Sequence, residues 1–268
     1  MAERLGYEDP FLAVREPFQM WGIQGDESLA EKLPFVKAGL PGVFVTPDVT
    51  PYKKRKVRIL NGAHTAFVPG SWVAGFDIVR DCMHDEIVRG FMNTMLYDEV
   101  IPTLAADLDV EDCKAFAAAV ENRFDNPFID HALLSICLNS TAKWRARDLP
   151  TLKDYVAETG NLPKCLATSL ATLIAFYTQE LVAREGDGLH LRRADGTEYT
   201  AQDDAFVLDF YAAHAGADDT ELVHDVLTNE QMWGEDLTQI TGLEEFVVNA
   251  LTVVRVEGAK QAFANAQA

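Results

Sequence analysis

The sequence predicts a mainly α-helical protein, with a short α/β segment in residues 1–50 followed by a helical domain in residues 51–268. Apolar residues recur at helical spacing from about Lys56 to the C-terminus, whereas turn and strand signals concentrate before Pro51. The chain has 268 residues, of which 48% are hydrophobic, so it can bury one large core or two modest ones.

The α/β segment is predicted from one short apolar run, residues 43–45, which follows Pro41 and Gly42 and is typical of a buried strand. The helical domain is predicted from stretches in which one face is apolar. These stretches are residues 59–79, 86–104, 110–124, 128–144, 162–184, 203–214, 219–228 and 242–263. Residues 189–201 alternate around an Asp-Gly pair instead, which predicts a hairpin among the helices.

Helix starts are predicted where a capping side chain precedes an apolar stretch. Asp109 stands just before the third stretch, and Asp125 and Asn126 stand before Pro127, a residue that the first helical turn tolerates. Asp203 and Asp204 precede another apolar stretch, so we expect them to cap a helix rather than to bind a metal.

Charge and cysteine content narrow the classes of function. The 23 basic and 42 acidic residues give a net charge of -19, which would repel nucleic acid and an anionic membrane. The N-terminus is charged where a signal peptide is apolar, and no long apolar run occurs, so we expect a cytoplasmic protein. The four cysteines lack CxxC spacing, and we expect reduced thiols without disulfides or structural metal.

Lys56, Asn61 and His64 form the most informative pattern in the sequence. On a continuous α-helix, at about 100° per residue, they share a face roughly 140° wide, so all three can address one substrate. Oxidation of a secondary alcohol needs a base for the hydroxyl proton and donors that hold the developing alkoxide. Lysine, asparagine and histidine supply those roles. The alternative interpretation is a surface charge, a packed imidazole and a turn.

A lysine acts as a base only in its uncharged form. Burial of Lys56 among cationic neighbours would favour that form through desolvation and like-charge repulsion. Those neighbours are Lys53, Lys54, Arg55 and Arg58.

The run PYKKRKVRILNGAHT, residues 51–65, resembles the signature of the mannitol dehydrogenase family. In that family a lysine, an asparagine five residues on and a histidine three further on open the C-terminal domain, and Lys56, Asn61 and His64 match all three. The resemblance implies that Lys56 is the general base, that Asn61 helps to form the oxyanion hole, and that His64 hydrogen-bonds substrate oxygen. It also implies a zinc-independent, NAD-dependent secondary-alcohol dehydrogenase.

The resemblance covers nearly the whole chain. EPFQMWGIQG and VFVTPDVTPY resemble the end of the family's Rossmann-type domain and its linker, RFDNPFIDH resembles a helix start, and LNSTAKWRARDLP resembles a substrate-facing helix. No GxGxxG or comparable glycine-rich turn occurs in the sequence, so the phosphate-binding half of a dinucleotide site is missing. We therefore expect a fragment or one half of a split enzyme, inactive alone, whose partner is a Rossmann domain.

Lys143 matches a lysine that contacts substrate in related polyol dehydrogenases, whereas the arginine that they place eight residues earlier is Ser135 here. Lys143, with Arg145 and Arg147, would bind the carboxylate of a sugar acid through charge-assisted hydrogen bonds. The alternative is a solvated basic helix end that balances the helix dipole.

The form NGAHT resembles the branch of the family that interconverts D-altronate and D-tagaturonate in hexuronate breakdown. Three alternatives stay open at this stage. The first is a dehydrogenase that acts on mannitol, fructuronate or a sugar-alcohol phosphate, and the second is a noncatalytic helical fragment that binds a partner. The third and weakest is a metal-dependent alcohol dehydrogenase, for which no clustered ligand set is evident.

Overall fold

The computed structural model describes residues 6–11 and 19–268. The chain divides into two compact units, Met1–Lys53 and Lys54–Ala268. The first three residues of the segment EPFQMWGIQG lie outside the described residues. Within the described residues, no helix is long and apolar enough to cross a membrane.

The first unit contains a two-stranded parallel sheet. Strand β1 (Trp21–Gln24) pairs with β2 (Val43–Thr46) in the register Trp21 to Val43. Helices α1 (Glu27–Lys32) and α2 (Pro34–Lys37) connect the strands, as a parallel pair requires. The strand predicted at residues 43–45 is therefore present, but its residues are half-buried rather than buried. A sheet of only two strands leaves its faces partly open to solvent.

The second unit begins with the segment that carries the motif. Helix α3 (Thr50–Arg55) leads into a π-helix, Lys56–Asn61, and this continues as α4 (Gly62–Val73). The remaining helices are α5 (Val79–His84), α6 (Glu86–Thr94), a π-helix (Met95–Val100), a 3-10 turn (Pro102–Leu104), α7 (Val110–Phe124), α8 (Leu133–Ile136), α9 (Ser140–Arg147), α10 (Leu149–Thr159), α11 (Lys164–Tyr177), α12 (Ala205–Ala213), α13 (Asp219–Leu227), α14 (Glu230–Trp233), a 3-10 turn (Leu237–Gln239), α15 (Leu243–Glu257) and α16 (Ala259–Ala266).

Helix α11 is the centre of the second unit. Every residue of α11 after Lys164 is buried, and the helix packs against α4, α15 and α16. The crossing with α4 is close because Gly70 has no side chain. A Cβ atom on Gly70 would lie 2.4 Å from Phe263 Cζ and 2.9 Å from Thr172 Cβ. The cysteines Cys82, Cys113, Cys137 and Cys165 are free and buried within the same core.

The predicted mainly α-helical class is confirmed, and so is the hairpin at residues 189–201. Strands β4 (Gly188–Arg192) and β5 (Glu198–Ala201) pair antiparallel, and β3 (Glu180–Glu185) adds a third strand. Residues 162–184 are therefore not one helix. The helix ends at Tyr177, and the chain turns into β3, whose Leu181 and Ala183 are paired across the sheet with Leu191 and His190.

The predicted helix starts have different outcomes. Asp109 caps α7 by accepting the N–H of Asp112 at 2.8 Å, as predicted. No helix begins at Pro127, because Asn126 accepts the N–H of Phe128 in a turn.

The aspartates before α12 also differ from the prediction. The carboxylate of Asp203 accepts the N–H of Thr141 at 3.0 Å and the hydroxyl of Tyr177, while Asp204 makes no side-chain cap for α12. Asp203 therefore caps α9, which lies 62 residues earlier in the chain.

Candidate active site

The π-helix determines how the motif residues face one another. Its N–H groups bond five residues back, as the N–H of Gly62 does to the carbonyl of Val57. In this winding the residue five positions along lies slightly more than one turn further, so Asn61 and Lys56 share one face of the π-helix. His64 lies three α-helical residues beyond Asn61 and shares that face. The three residues therefore occupy a narrower face than a continuous α-helix predicts.

Lys56 is exposed, which differs from the burial that its cationic neighbours suggested. Three of the four neighbours are directed away from it because each pairs with a carboxylate on another part of the chain. These pairs are Lys54 with Asp107, Arg55 with Asp112, and Arg58 with Asp154. No cluster of unpaired like charges therefore forms around Lys56.

Asn61 is half-buried, and its side-chain amide makes no hydrogen bond within the described part of the chain. Its backbone carbonyl accepts from Thr65 Oγ1 at 3.0 Å and from Arg147 Nη1 at 3.5 Å. The backbone of Asn61 is thus held by two contacts, while the amide group remains available to a ligand.

His64 lies against aromatic side chains. Its ring stacks on Phe124 with a centroid distance of 3.9 Å and meets His131 edge-on at 5.5 Å. Burial, together with the charges of His131, Arg147, Arg123 and Lys143, lowers the pKa of His64 from 6.5 to about 3. The imidazole is therefore neutral at physiological pH, and its buried Nε2 has no hydrogen-bond partner. A neutral ring with an unused nitrogen suits a hydrogen bond to a substrate hydroxyl.

Helix α9 carries Lys143 and Arg147, and the charges of both lower the pKa of His64. Lys143 Nζ donates to the carbonyl of Ile136 at 2.8 Å, and burial together with the charge of Arg147 lowers the pKa of Lys143. Arg147 Nη1 donates to Thr65 Oγ1 at 2.9 Å.

The third basic residue of this helix does not join the site. Arg145 is exposed and lies beside Gly234, on the opposite side of α9 from the motif. Ser135 is also exposed, and its hydroxyl donates to the carbonyl of Ala132. Of the predicted carboxylate-binding residues, the structure therefore brings Lys143 and Arg147 to the motif and leaves Arg145 away from it.

Sequence reasoning missed Asp148, which is buried beneath the motif. Its position before Leu149 and Pro150 is typical of a helix cap, but its side chain makes no cap for α10. Burial raises the pKa of Asp148 well above its usual range, although the charges of Arg147 and Arg58 oppose that shift. His131 and Phe124 were also missed as neighbours of His64, because no local pattern relates residues so far apart in sequence.

The described residues do not fit the phosphates of a dinucleotide. The strand-to-helix turn after β1 contains one glycine, Gly25, and the N-terminus of α1 is capped by the carboxylate of Asp26, which accepts the N–H of Leu29. An acidic side chain in that position would repel a phosphate.

Comparison with known proteins gives the family. The family model for the mannitol dehydrogenase C-terminal domain matches residues 48–255. The chain belongs to the mannitol dehydrogenase family. Among its relatives are the altronate oxidoreductases of Escherichia coli strain K12 and Shigella flexneri, each 41% identical over 98% of this chain. Those matches cover 52% of each relative, so the chain spans about half the length of these members of the family.

Solved structures of similar fold include a mannitol dehydrogenase and a sorbitol dehydrogenase. The Pseudomonas fluorescens mannitol 2-dehydrogenase, in a ternary complex with NAD and D-mannitol, superposes with a TM-score of 0.71 at 22% identity, over 84% of this chain and 42% of that one. A D-sorbitol dehydrogenase in substrate-free form gives a TM-score of 0.68 at 20% identity, over 86% and 43%. At these identities the likeness shows the fold alone.

Proposed function

We propose that the chain is the substrate-binding half of an NAD-dependent secondary-alcohol dehydrogenase that interconverts D-altronate and D-tagaturonate. The observation that carries the proposal is that Lys56 and Asn61 of the π-helix and His64 of α4 share one face, with the His64 imidazole neutral and its Nε2 unused. The likeness to altronate oxidoreductases supports the choice of substrate.

The proposed roles follow from the chemistry of each side chain. Lys56, in its uncharged form, accepts the proton of the substrate hydroxyl, and the amide of Asn61 donates to the same oxygen as negative charge develops. The Nε2 atom of His64 forms a hydrogen bond with the substrate and orients it. NAD, held by a domain other than the described residues, supplies the hydride acceptor.

An anionic substrate is supported by the charges around His64. Arg123, Lys143 and Arg147 all act on its imidazole, in a chain whose net charge is -19. Such a local concentration of positive charge suits the carboxylate of a sugar acid better than an uncharged polyol. Lys143 and Arg147 are the proposed carboxylate ligands, and each uses only part of its donor capacity within the chain.

The experiment measures NADH oxidation with tagaturonate, fructuronate and fructose, for this chain alone and for the chain fused to a Rossmann domain of the family. We expect turnover only in the fusion, highest with tagaturonate, unchanged by a chelator and abolished by Lys56→Ala. Lys53→Ala, which removes another exposed lysine of the same segment, is the matched control and retains activity. Equal rates for the Lys56→Ala and Lys53→Ala fusions would exclude Lys56 as the base.

A noncatalytic module that binds a partner is the second candidate. It is favoured by large apolar side chains exposed in the first unit, where Phe11 is 91%, Trp21 57% and Leu40 44% exposed. The same assay separates the two candidates. Absence of turnover with all three substrates, in both forms of the chain, would favour the binding module.

A further inference from the structure

The π-helix at the motif is a rare winding, and the residue that follows it shows what maintains it. A Cβ atom on Gly62 would lie 2.8 Å from Asp148 Oδ1, which is closer than a real side chain is found. The carboxyl group of Asp148 therefore occupies the space beside the end of the π-helix that a side chain at position 62 would fill. Asp148 itself is 2% exposed, so it cannot move into solvent without disrupting the core.

Two arginines connect this segment with helices α9 and α10. One reaches from α9 to the segment, and the other reaches from the segment to α10. Arg147, at the end of α9, donates to Thr65 Oγ1 at 2.9 Å and to the carbonyl of Asn61 at 3.5 Å. Arg58, within the π-helix, donates to Thr151 Oγ1 and pairs with Asp154 Oδ2 at 3.1 Å on α10. Together these contacts tie the middle and the C-terminal end of the π-helix to the same pair of helices.

The charges of both arginines act on Asp148, yet neither arginine forms a hydrogen bond with its carboxyl group. The Oδ2 atom of Asp148 has no partner among the described residues. Burial raises the pKa of this carboxyl, and Oδ1 lies in the space that a Cβ atom on Gly62 would need, so the group acts on the π-helix through its shape. Its contact with Gly62 is then a packing contact, whereas the two arginines supply the directional bonds.

We propose that Arg147, Arg58 and Asp148 are positioning residues that keep the π-helix wound and thereby hold Asn61 on the same face as Lys56. Arg147 acts through the backbone of Asn61, in addition to its proposed contact with a carboxylate. The catalytic consequence rests on the proposed function, whereas the conformational consequence does not.

Amide hydrogen exchange of the full chain tests the conformational part. We expect Arg147→Met to accelerate exchange in residues 57–66 on the order of 10- to 100-fold, as for loss of a hydrogen bond from a charged group. Gly62→Ala is expected to act in the same segment, and Arg147→Lys to restore part of the protection. Asp148→Asn, which keeps the shape and lacks charge, is expected to exchange as the wild type does.

Arg145→Met is the matched control, because Arg145 lies on the same helix, carries the same charge and faces away from the motif. Its exchange in residues 57–66 is expected to stay unchanged. Unchanged exchange in Arg147→Met, or an equal acceleration throughout α11, would overturn the proposal, since the second result indicates global destabilisation.

Turnover by the fusion protein tests the catalytic part. We expect Gly62→Ala to lower kcat for tagaturonate at least tenfold with little change in KM, because Lys143 and its surroundings are not altered. A variant with accelerated exchange but wild-type kcat would overturn the positioning role. If the wild-type fusion is inactive, the proposed function fails, and hydrogen exchange alone decides whether these residues maintain the π-helix.

Discussion

Replacing His64 with glutamine is expected to remove a pH dependence of stability that the buried imidazole imposes. The pKa of His64 is lowered from 6.5 to about 3, chiefly by burial. Between those values the unfolded chain binds a proton that the folded chain does not. The contribution of His64 to stability is therefore complete above pH 6.5 and is lost progressively as the pH falls toward the folded-state pKa.

The size of the effect follows from the unfolded-state titration. At pH 5.5 the unfolded imidazole is protonated about ten times more often than it is neutral, whereas at pH 7.5 it is almost wholly neutral. The wild type should therefore lose about 1.4 kcal/mol of unfolding free energy through His64 between pH 7.5 and pH 5.5. Other titrating groups act equally in the wild type and the variant, so they cancel when the two pH differences are subtracted.

Urea unfolding at the two pH values provides the measurement. Trp72, Trp144 and Trp233 are buried in the second unit, and their fluorescence reports its unfolding. In His64→Gln and His64→Phe the loss of unfolding free energy between pH 7.5 and pH 5.5 should be smaller than in the wild type by about 1.4 kcal/mol, within about 0.5 kcal/mol. Both variants should show this, although their packing differs. An identical pH difference in wild type and variants, or an imidazole that titrates near pH 6.5 by NMR, would refute the reasoning.

Three further predictions concern the packing around the site. Gly70→Ala should destabilise the chain by about 1–3 kcal/mol, seen as a lower urea midpoint, because its Cβ overlaps Phe263; an unchanged midpoint would contradict the close crossing. Glu99 accepts two N–H groups at the start of α11, which lower its pKa, but burial outweighs them and raises the pKa to about 7, so its contribution is complete below pH 4.5 and lost as the pH rises through 7. Glu99→Ala should therefore destabilise more at pH 5 than at pH 8 in urea titrations, and the reverse order would refute it. Asp203→Ala should accelerate amide exchange at Thr141 about tenfold, and unchanged exchange would exclude the long-range cap.

Local sequence patterns predicted the parts of the fold that depend on local physics. Asp109 caps the next helix, and an Asp-Gly pair stands at the turn between β4 and β5, because each interaction spans only a few residues. The strand at Glu180–Glu185 was missed because its apolar residues continue the pattern of α11, and only pairing with β4 distinguishes them. Asp203 was assigned to the nearest helix, whereas its hydrogen bond reaches across the fold to Thr141.

In the candidate site, too, the features set by nearby residues were predicted and those set by distant residues were not. Lys56, Asn61 and His64 were selected from the spacing of their side chains, and the common face follows from helical winding of either type. The π-helix itself could not be predicted, because the group that packs against Gly62 belongs to Asp148, 86 positions later. The prediction that Lys56 is buried among cationic neighbours was also wrong. Carboxylates distant in sequence pair with three of those neighbours, and no local pattern reveals such pairs.

The buried cysteines give the chain an experimental property. Burial raises the pKa of Cys82 and Cys137 to about 12, and it also raises the pKa of Cys113 and Cys165. Alkylating reagents are electrophiles that react with the thiolate, so they should leave these buried thiols unmodified for as long as the second unit stays folded. A single cysteine introduced on the surface would then carry a spectroscopic label selectively, and later modification of the native thiols would time the opening of the core.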